Sequence, residues 1–179
     1  GGGNPGRSGH RRSVDAARAV LETRERLAEL FNVKDPANIV FTKNATEALN
    51  IALFGLLKPG DHIVTTSMEH NSVMRPLGAL AERGVEIGTA DALPSGVVPL
   101  EAIVGAVRPN TRLVAAIHAS NVTGAVNDIA AIGRFCSERG ILFLVDAAQT
   151  AGVVSIDVER DKVDLLAFSG HKGLLGPQG

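Results

Sequence analysis

The sequence has 179 residues, 45% hydrophobic and 21% charged, the balance of an ordinary globular protein with room for one real core. Its 18 Lys and Arg against 19 Asp and Glu leave a formal charge of -1, which excludes a global pull toward nucleic acid or an acidic membrane surface. No apolar run reaches membrane-spanning length, and the single cysteine, Cys136, can form neither an internal disulfide nor a thiolate zinc site, so a reducing, cytoplasmic setting is expected.

The chain opens on Gly1-Gly2-Gly3 without a methionine and stops inside a glycine-rich loop, so both ends read as cut. The basic cluster Arg7, His10, Arg11 and Arg12 is local and is expected to solvate a loop and the start of a helix. From Ser13 to Phe31, Val14, Ala17, Val20, Leu21, Leu27, Leu30 and Phe31 recur at helical spacing, which predicts an amphipathic helix. A short strand is predicted at Ile39–Phe41, a helix at Thr46–Leu57 ended by Lys58-Pro59-Gly60, and a strand at Ile63–Thr66. A helix over Ser72–Arg83 stops at Gly84. There follow a strand at Val85–Ile87, a helix at Leu100–Val107, a strand at Leu113–His118, a helix at Asp128–Arg139 and strands at Ile141–Val145 and Leu165–Phe168. Strands this apolar, without alternation, suit a mostly parallel α/β sheet with helices on both faces. The expected domain layout is a glycine- and arginine-rich segment at 1–12 and one large domain at 13–179, incomplete at its C-terminus.

In open α/β sheets ligands bind beyond the carboxyl ends of the strands. Here the strands discharge into "TKNATEALN", "SMEHNSV", "ASNVTG", "DAAQT" and "SGHKG", all small and polar. Asp146, directly after Ile-Leu-Phe-Leu-Val, is expected to be partly buried, so it needs either a cation or the backbone N–H groups of a helix it caps. The small residues and Thr46 of "ATEALN" make either a plain helix start or a phosphate cradle. Lys172 follows an apolar run and is either loop decoration or an amine wanted for chemistry. An anion cradle, an acid needing a cation and a loop lysine together describe a site for pyridoxal 5'-phosphate. A lysine with an ordinary pKa near ~10.4 must be tuned to condense with an aldehyde, and Gly170 and Gly173 are expected to let the backbone turn tightly toward the cofactor.

Several other patterns carry less. His10, His62 and His118 are read as ordinary loop histidines, and no pair of histidines with a carboxylate has metal-ligand spacing. Ser169–Lys172 matches S-x-x-K by accident, since S-D-N and K-T-G companions are missing, and neither G-x-G-x-x-G nor a Walker loop is present.

The blocks "NATEALN", "MEHNSV", "SNVTG", "VDAAQTAG" and "FSGHKGLLGPQG", in this order, with "GNPGRSGH" before them, resemble the cofactor-binding half of fold-type-I pyridoxal phosphate enzymes of the class V aminotransferase group. The similarity is greatest to cysteine desulfurases and selenocysteine lyases and runs over nearly the whole chain. The resemblance implies that Lys172 carries the Schiff base, Asp146 pairs with the ring nitrogen, and His70 stacks on the ring and relays protons. It implies that Gln149 and Asn121 serve the ring hydroxyl and substrate, and that Ala45, Thr46, Ser169 and His171 hold the phosphate. It also implies a homodimer acting on a small amino acid, with sulfur passed from L-cysteine to an enzyme thiol and on to an acceptor protein. The family's nucleophilic cysteine and carboxylate-binding arginine lie beyond the lysine loop, and Cys136, in "IGRFCSERG", reads as a small buried hydrophobe instead. A different class V reaction and a catalytically silent fragment are therefore the alternatives.

Overall fold

The computed structural model describes residues 4–5 and 10–177, so Arg7 of the basic cluster and Gln178 and Gly179 of the last block lie outside the described residues. The chain divides into two compact units: one ends at Phe41 and takes in Asp157–Glu159, and the other comprises Thr42–Ile156 and resumes at Arg160.

In the first unit, helix α1 spans Arg11–Phe31 and ends at Asn32, whose left-handed backbone lets its N–H reach Ala28 and Glu29. The Asn32 amide donates to both oxygens of Asp157 at 3.1 Å, and Lys34 pairs with Glu159 at 2.6 Å. The helical spacing located α1 but not the burial of its apolar stripe. Ala28 and Phe31 are buried, whereas Val14, Leu21 and Leu30 are about half exposed. The strand expected at 39–41 does not form. Asp35 accepts the Ala37 N–H and starts a 3-10 turn at Pro36–Asn38, and no strand runs alongside the following residues among those described. Val40 is consequently 73% exposed, because an isolated extended segment has no ladder to join.

The second unit is built on a parallel sheet. Helix α2 (Ala45–Leu56) leads to strand β1 (His62–Thr66), helix α3 (Asn71–Ala81) and strand β2 (Glu86–Ala90). Helix α4 (Leu100–Ala106), strand β3 (Thr111–Ile117), helix α5 (Ile129–Arg139), strand β4 (Leu142–Asp146) and strand β5 (Leu165–Ala167) follow. The five strands lie in the order β2-β1-β3-β4-β5 and every pairing is parallel. β2 is longer than the sequence predicts, because residues 88–90 extend the ladder through Ala90 alongside Thr66. Leu49, Leu53 and Leu57 meet Val73, Leu77 and Leu80 over Ile63, Leu113, Ala115 and Leu144 on one face of the sheet. On the other, α4 packs on β1 and β2 and α5 on β4. Burial of apolar side chains on both faces explains why the strands carry unbroken apolar runs. No helix among the described residues is long and apolar enough to cross a membrane.

Candidate active site

From β1 the chain winds outward to β2, then returns past β1 to β3 and winds the other way through β4 to β5. The reversal falls between β1 and β3, and the crevice at the carboxyl ends of such a pair is where open α/β sheets take ligands. A cleft of about 320 Å³ opens there, within the size range of small-molecule sites. Into it the fold brings every site residue named from the sequence. Ala45 and Thr46 come from the start of α2, His70 from the segment after β1 and Asn121 from the loop after β3. Asp146 and Gln149 follow β4, and Ser169, His171 and Lys172 follow β5.

The start of α2 is fixed by two side chains. Asn44 accepts the Glu47 N–H at 2.9 Å, and Glu47 reaches back to the Lys43 N–H at 2.6 Å. The first-turn N–H groups of Ala45 and Thr46 have no acceptor within the helix, which is the arrangement that binds anions.

Asp146 ends β4 and is 4% exposed. No helix follows it, so it is not a helix cap; its Oδ1 accepts the Ala148 N–H at 2.9 Å across a short turn. Burial raises its pKa, while the Ala148 N–H, His70 and Lys172 act to lower it. A carboxyl at the cleft floor thus has one N–H donor and two basic side chains favouring its charge, against a burial that outweighs them.

His70 caps α3 with its ring. Nδ1 accepts the Ser72 N–H at 3.1 Å and lies 2.8 Å from Ser72 Oγ. With Nδ1 engaged as acceptor, the neutral ring carries its proton on Nε2. Asn121 is displayed by a loop that Ser120 organises, its hydroxyl accepting the N–H groups of Val122 and Thr123. Lys172 sits in a run of turns closed by Leu175 N–H to Lys172 O at 2.9 Å and Gly176 N–H to Gly170 O at 2.7 Å. The two flanking glycines sit in different surroundings. Gly170 has open space where a Cβ would stand, whereas Gly173 packs against the backbone of Ala151.

Sequence reasoning missed the residues that hold these groups. His118, an ordinary histidine by its sequence, is 4% exposed, donates its N–H to Asp146 O and places Nδ1 2.9 Å from Thr150 Oγ1. It therefore braces both ends of the 146–150 turn, and burial, opposed by Asp161, lowers its pKa and keeps the ring neutral. Ser72 and Ser120 act on neighbours two or three residues away and went unnoticed as local turn residues, whereas Glu69 gives no signal in the sequence, since its role depends on a backbone N–H that only the folded chain brings near. Cys136 lies away from the cleft on α5, fully buried, and burial pushes its thiol up to about 12.

The model of the family described as "Aminotransferase class-V" matches residues 1–179. The chain belongs to the class V aminotransferase family. Members of this family use pyridoxal 5'-phosphate. Cysteine desulfurase IscS of Shewanella baltica is 42% identical across 99% of the chain, and its Vibrio cholerae counterpart 44% identical across the same share. Among solved structures, apo cysteine desulfurase from Thermococcus onnurineus superposes with a TM-score of 0.92 at 36% identity over 99% of the chain. SspA in complex with cysteine also reaches a TM-score of 0.92, at 34% identity. The chain spans 44% of the length of the curated relatives and 45 to 51% of these two structures.

Proposed function

We propose that the protein is a pyridoxal phosphate-dependent cysteine desulfurase, releasing sulfur from L-cysteine and leaving alanine. Residues 13–179 are read as its cofactor-binding domain. The observation that carries the reading is the meeting, in one cleft at the switch point, of a lysine, a buried carboxyl and a helix N-terminus on a chain akin to cysteine desulfurases.

The donor set suits the cofactor. The first turn of α2, with Thr46, Ser169 and His171, would take the phosphate, and Asp146 would accept a hydrogen bond from the protonated ring nitrogen. A cation at that position supplies the partner that a buried carboxylate needs. His70 would cover the ring and donate from Nε2, with Gln149 and Asn121 toward the ring hydroxyl and substrate. When bound, pyridoxal phosphate supplies an aldehyde that captures amines and a ring that stores the electron pair left at the amino acid Cα. Lys172 Nζ is the amine that would hold the aldehyde and, once displaced by substrate, take up the Cα proton. Cys136, buried and with its thiol pushed up to about 12, does not serve as the sulfur-accepting nucleophile. The second reading is another class V reaction on an amino acid. A homodimer, a sulfur-acceptor protein and a reducing, cytoplasmic setting belong to the first reading.

The test uses the intact protein. Borohydride reduction after cofactor loading is expected to fix the pyridoxyl group on the peptide holding Lys172, and L-cysteine with excess dithiothreitol as reductant to yield alanine and sulfide in equal amounts. Absence of a modified Lys172 peptide would remove the cofactor reading; a modified peptide with no alanine formed would leave the second reaction class.

A further inference from the structure

Glu69 makes none of the cofactor contacts described above, yet its carboxyl stands where the sheet divides. β1 pairs with β3 only from His62 to Val64, and beyond that the two strands part. The parting deprives the Ile117 N–H of a ladder acceptor, and Glu69 Oε1 takes it at 2.7 Å. The same oxygen accepts the Thr66 hydroxyl, at the end of β1, at 2.7 Å. Thr66 Oγ1 in turn accepts the Met68 N–H at 3.2 Å, which leaves its own proton for Glu69. One carboxyl oxygen thus stands in for the ladder acceptor that β1 does not offer at the crevice. Ile117 lies in register with Asp146, so the two acids flank one residue of the cleft floor.

The second oxygen is differently placed. Glu69 Oε2 is buried and has no hydrogen-bond partner among the described residues. Asp146, from β4, is the charged group acting on it, and a second negative charge there would add repulsion to the loss of solvent. A bare carboxylate oxygen in such a place costs far more than a buried hydroxyl. Two donors on Oε1 and none on Oε2 is the pattern of a carbonyl oxygen beside an O–H. Asp146 has the Ala148 N–H, His70 and Lys172 offsetting part of its burial, whereas burial and Asp146 together hold the proton on Glu69, so Glu69 is the acid of the pair that keeps its proton to higher pH.

We propose that Glu69 is a positioning residue held as a neutral acid, tying the end of β1 to the end of β3 and leaving Asp146 to carry the negative charge of the pair. Burial pushes Glu69 up to about 8 against the pull of its Thr66 and Ile117 hydrogen bonds, with Asp146 adding to the rise. The consequence for cofactor binding rests on the proposed function; the protonation state does not.

The experiment is carried out on the intact protein, with carboxyl-¹³C-labelled glutamate and the Glu69→Gln variant to assign the Glu69 resonance. The resonance is expected to report a protonated acid at neutral pH, before any cofactor is added. Equilibrium binding of pyridoxal phosphate is then compared: Glu69→Gln, neutral and able to accept at the same oxygen, is expected within about threefold of wild type, and Glu69→Ala at least about tenfold weaker. An ionised Glu69 at neutral pH, or Glu69→Gln as weak as Glu69→Ala, would overturn the proposal. If Glu69→Ala does not fold, the resonance and the Glu69→Gln affinity decide. A wild-type protein that takes up no pyridoxal phosphate would defeat the cofactor reading alone, and the resonance would still decide the state of Glu69.

Discussion

Gly173 lies so close to Ala151 that a Cβ at Gly173 would come within 2.5 Å of the Ala151 carbonyl oxygen. Gly152 faces it from the other side, where a Cβ would meet the Gly173 carbonyl at 2.8 Å. The loop bearing Lys172 is thus seated directly on the turn that follows Asp146, backbone against backbone. That seating sets the lysine relative to the acid without either side chain taking part.

Gly173→Ala is therefore expected to force the two loops apart, lowering stability by about 1 to 3 kcal/mol and weakening cofactor retention. Gly170→Ala, with nothing near its Cβ position, serves as the control and is expected to melt with the wild type. Thermal melts of the two variants, with cofactor release measured beside them, check the difference; equal behaviour would show that the loops yield without cost.

Asp146 is the second case. Asp146→Ala removes the charge and the Ala148 hydrogen bond together, and is expected to raise the barrier to turnover by ~2 to 5 kcal/mol, the cost of breaking a buried charge pair. Asp146→Asn keeps an oxygen for the Ala148 N–H while losing the charge. It is expected to melt near the wild type but turn over as slowly as Asp146→Ala. Turnover at saturating cofactor separates the two effects, and a fast Asp146→Asn would reduce Asp146 to a turn-forming residue.

The legible parts of this molecule are those fixed by local pattern. Ile141 to Val145 reads as a strand buried on both faces, and the acid directly after it had to stand at a sheet end. Ile39–Phe41 has the same composition, but a strand exists only beside another strand, and pairing is not written in a three-residue run. The cleft residues were legible because each follows a strand or starts a helix. Their supports were not. His118 and Glu69 act on groups that the fold brings alongside, 32 positions away for His118 and Thr150 and 48 for Glu69 and Ile117, while Ser72 and Ser120 act locally. Gly173 stands out in the sequence for its nearness to Lys172, yet the neighbour that demands a glycine is the 151–153 turn.

Cys136 is fully buried on α5, and its thiol, pushed up to about 12 by that burial, stays protonated at any ordinary pH. Cys136→Ala is expected to cost about 1 kcal/mol of stability and leave turnover unchanged. In the native protein the peptide holding Cys136 is expected to escape alkylation until denaturant is added. Mass mapping after alkylation tests this, and rapid native labelling of Cys136 would contradict the burial.

Glu69 gives the stability of the protein a pH dependence of defined sign. Below about pH 4.5 both the folded and the unfolded chain hold its proton, so its contribution is fully present. Between about 4.5 and about 8 the unfolded chain has released the proton while the folded chain retains it, so stability falls as pH rises. The contribution is lost once pH passes the folded value. Its upper bound is ~5 kcal/mol by linkage, shared with a smaller effect of the same sign from Asp146, whose pKa is also raised. Glu69→Gln cannot ionise, so urea unfolding of the intact variant is expected to show a shallower decline from about pH 5 to about pH 8 than the wild type. The Asp146 part of the slope persists in that variant and cancels in the comparison. Parallel curves would mean that Glu69 already carries its charge in the folded protein, and that the gap between β1 and β3 is closed by an ion.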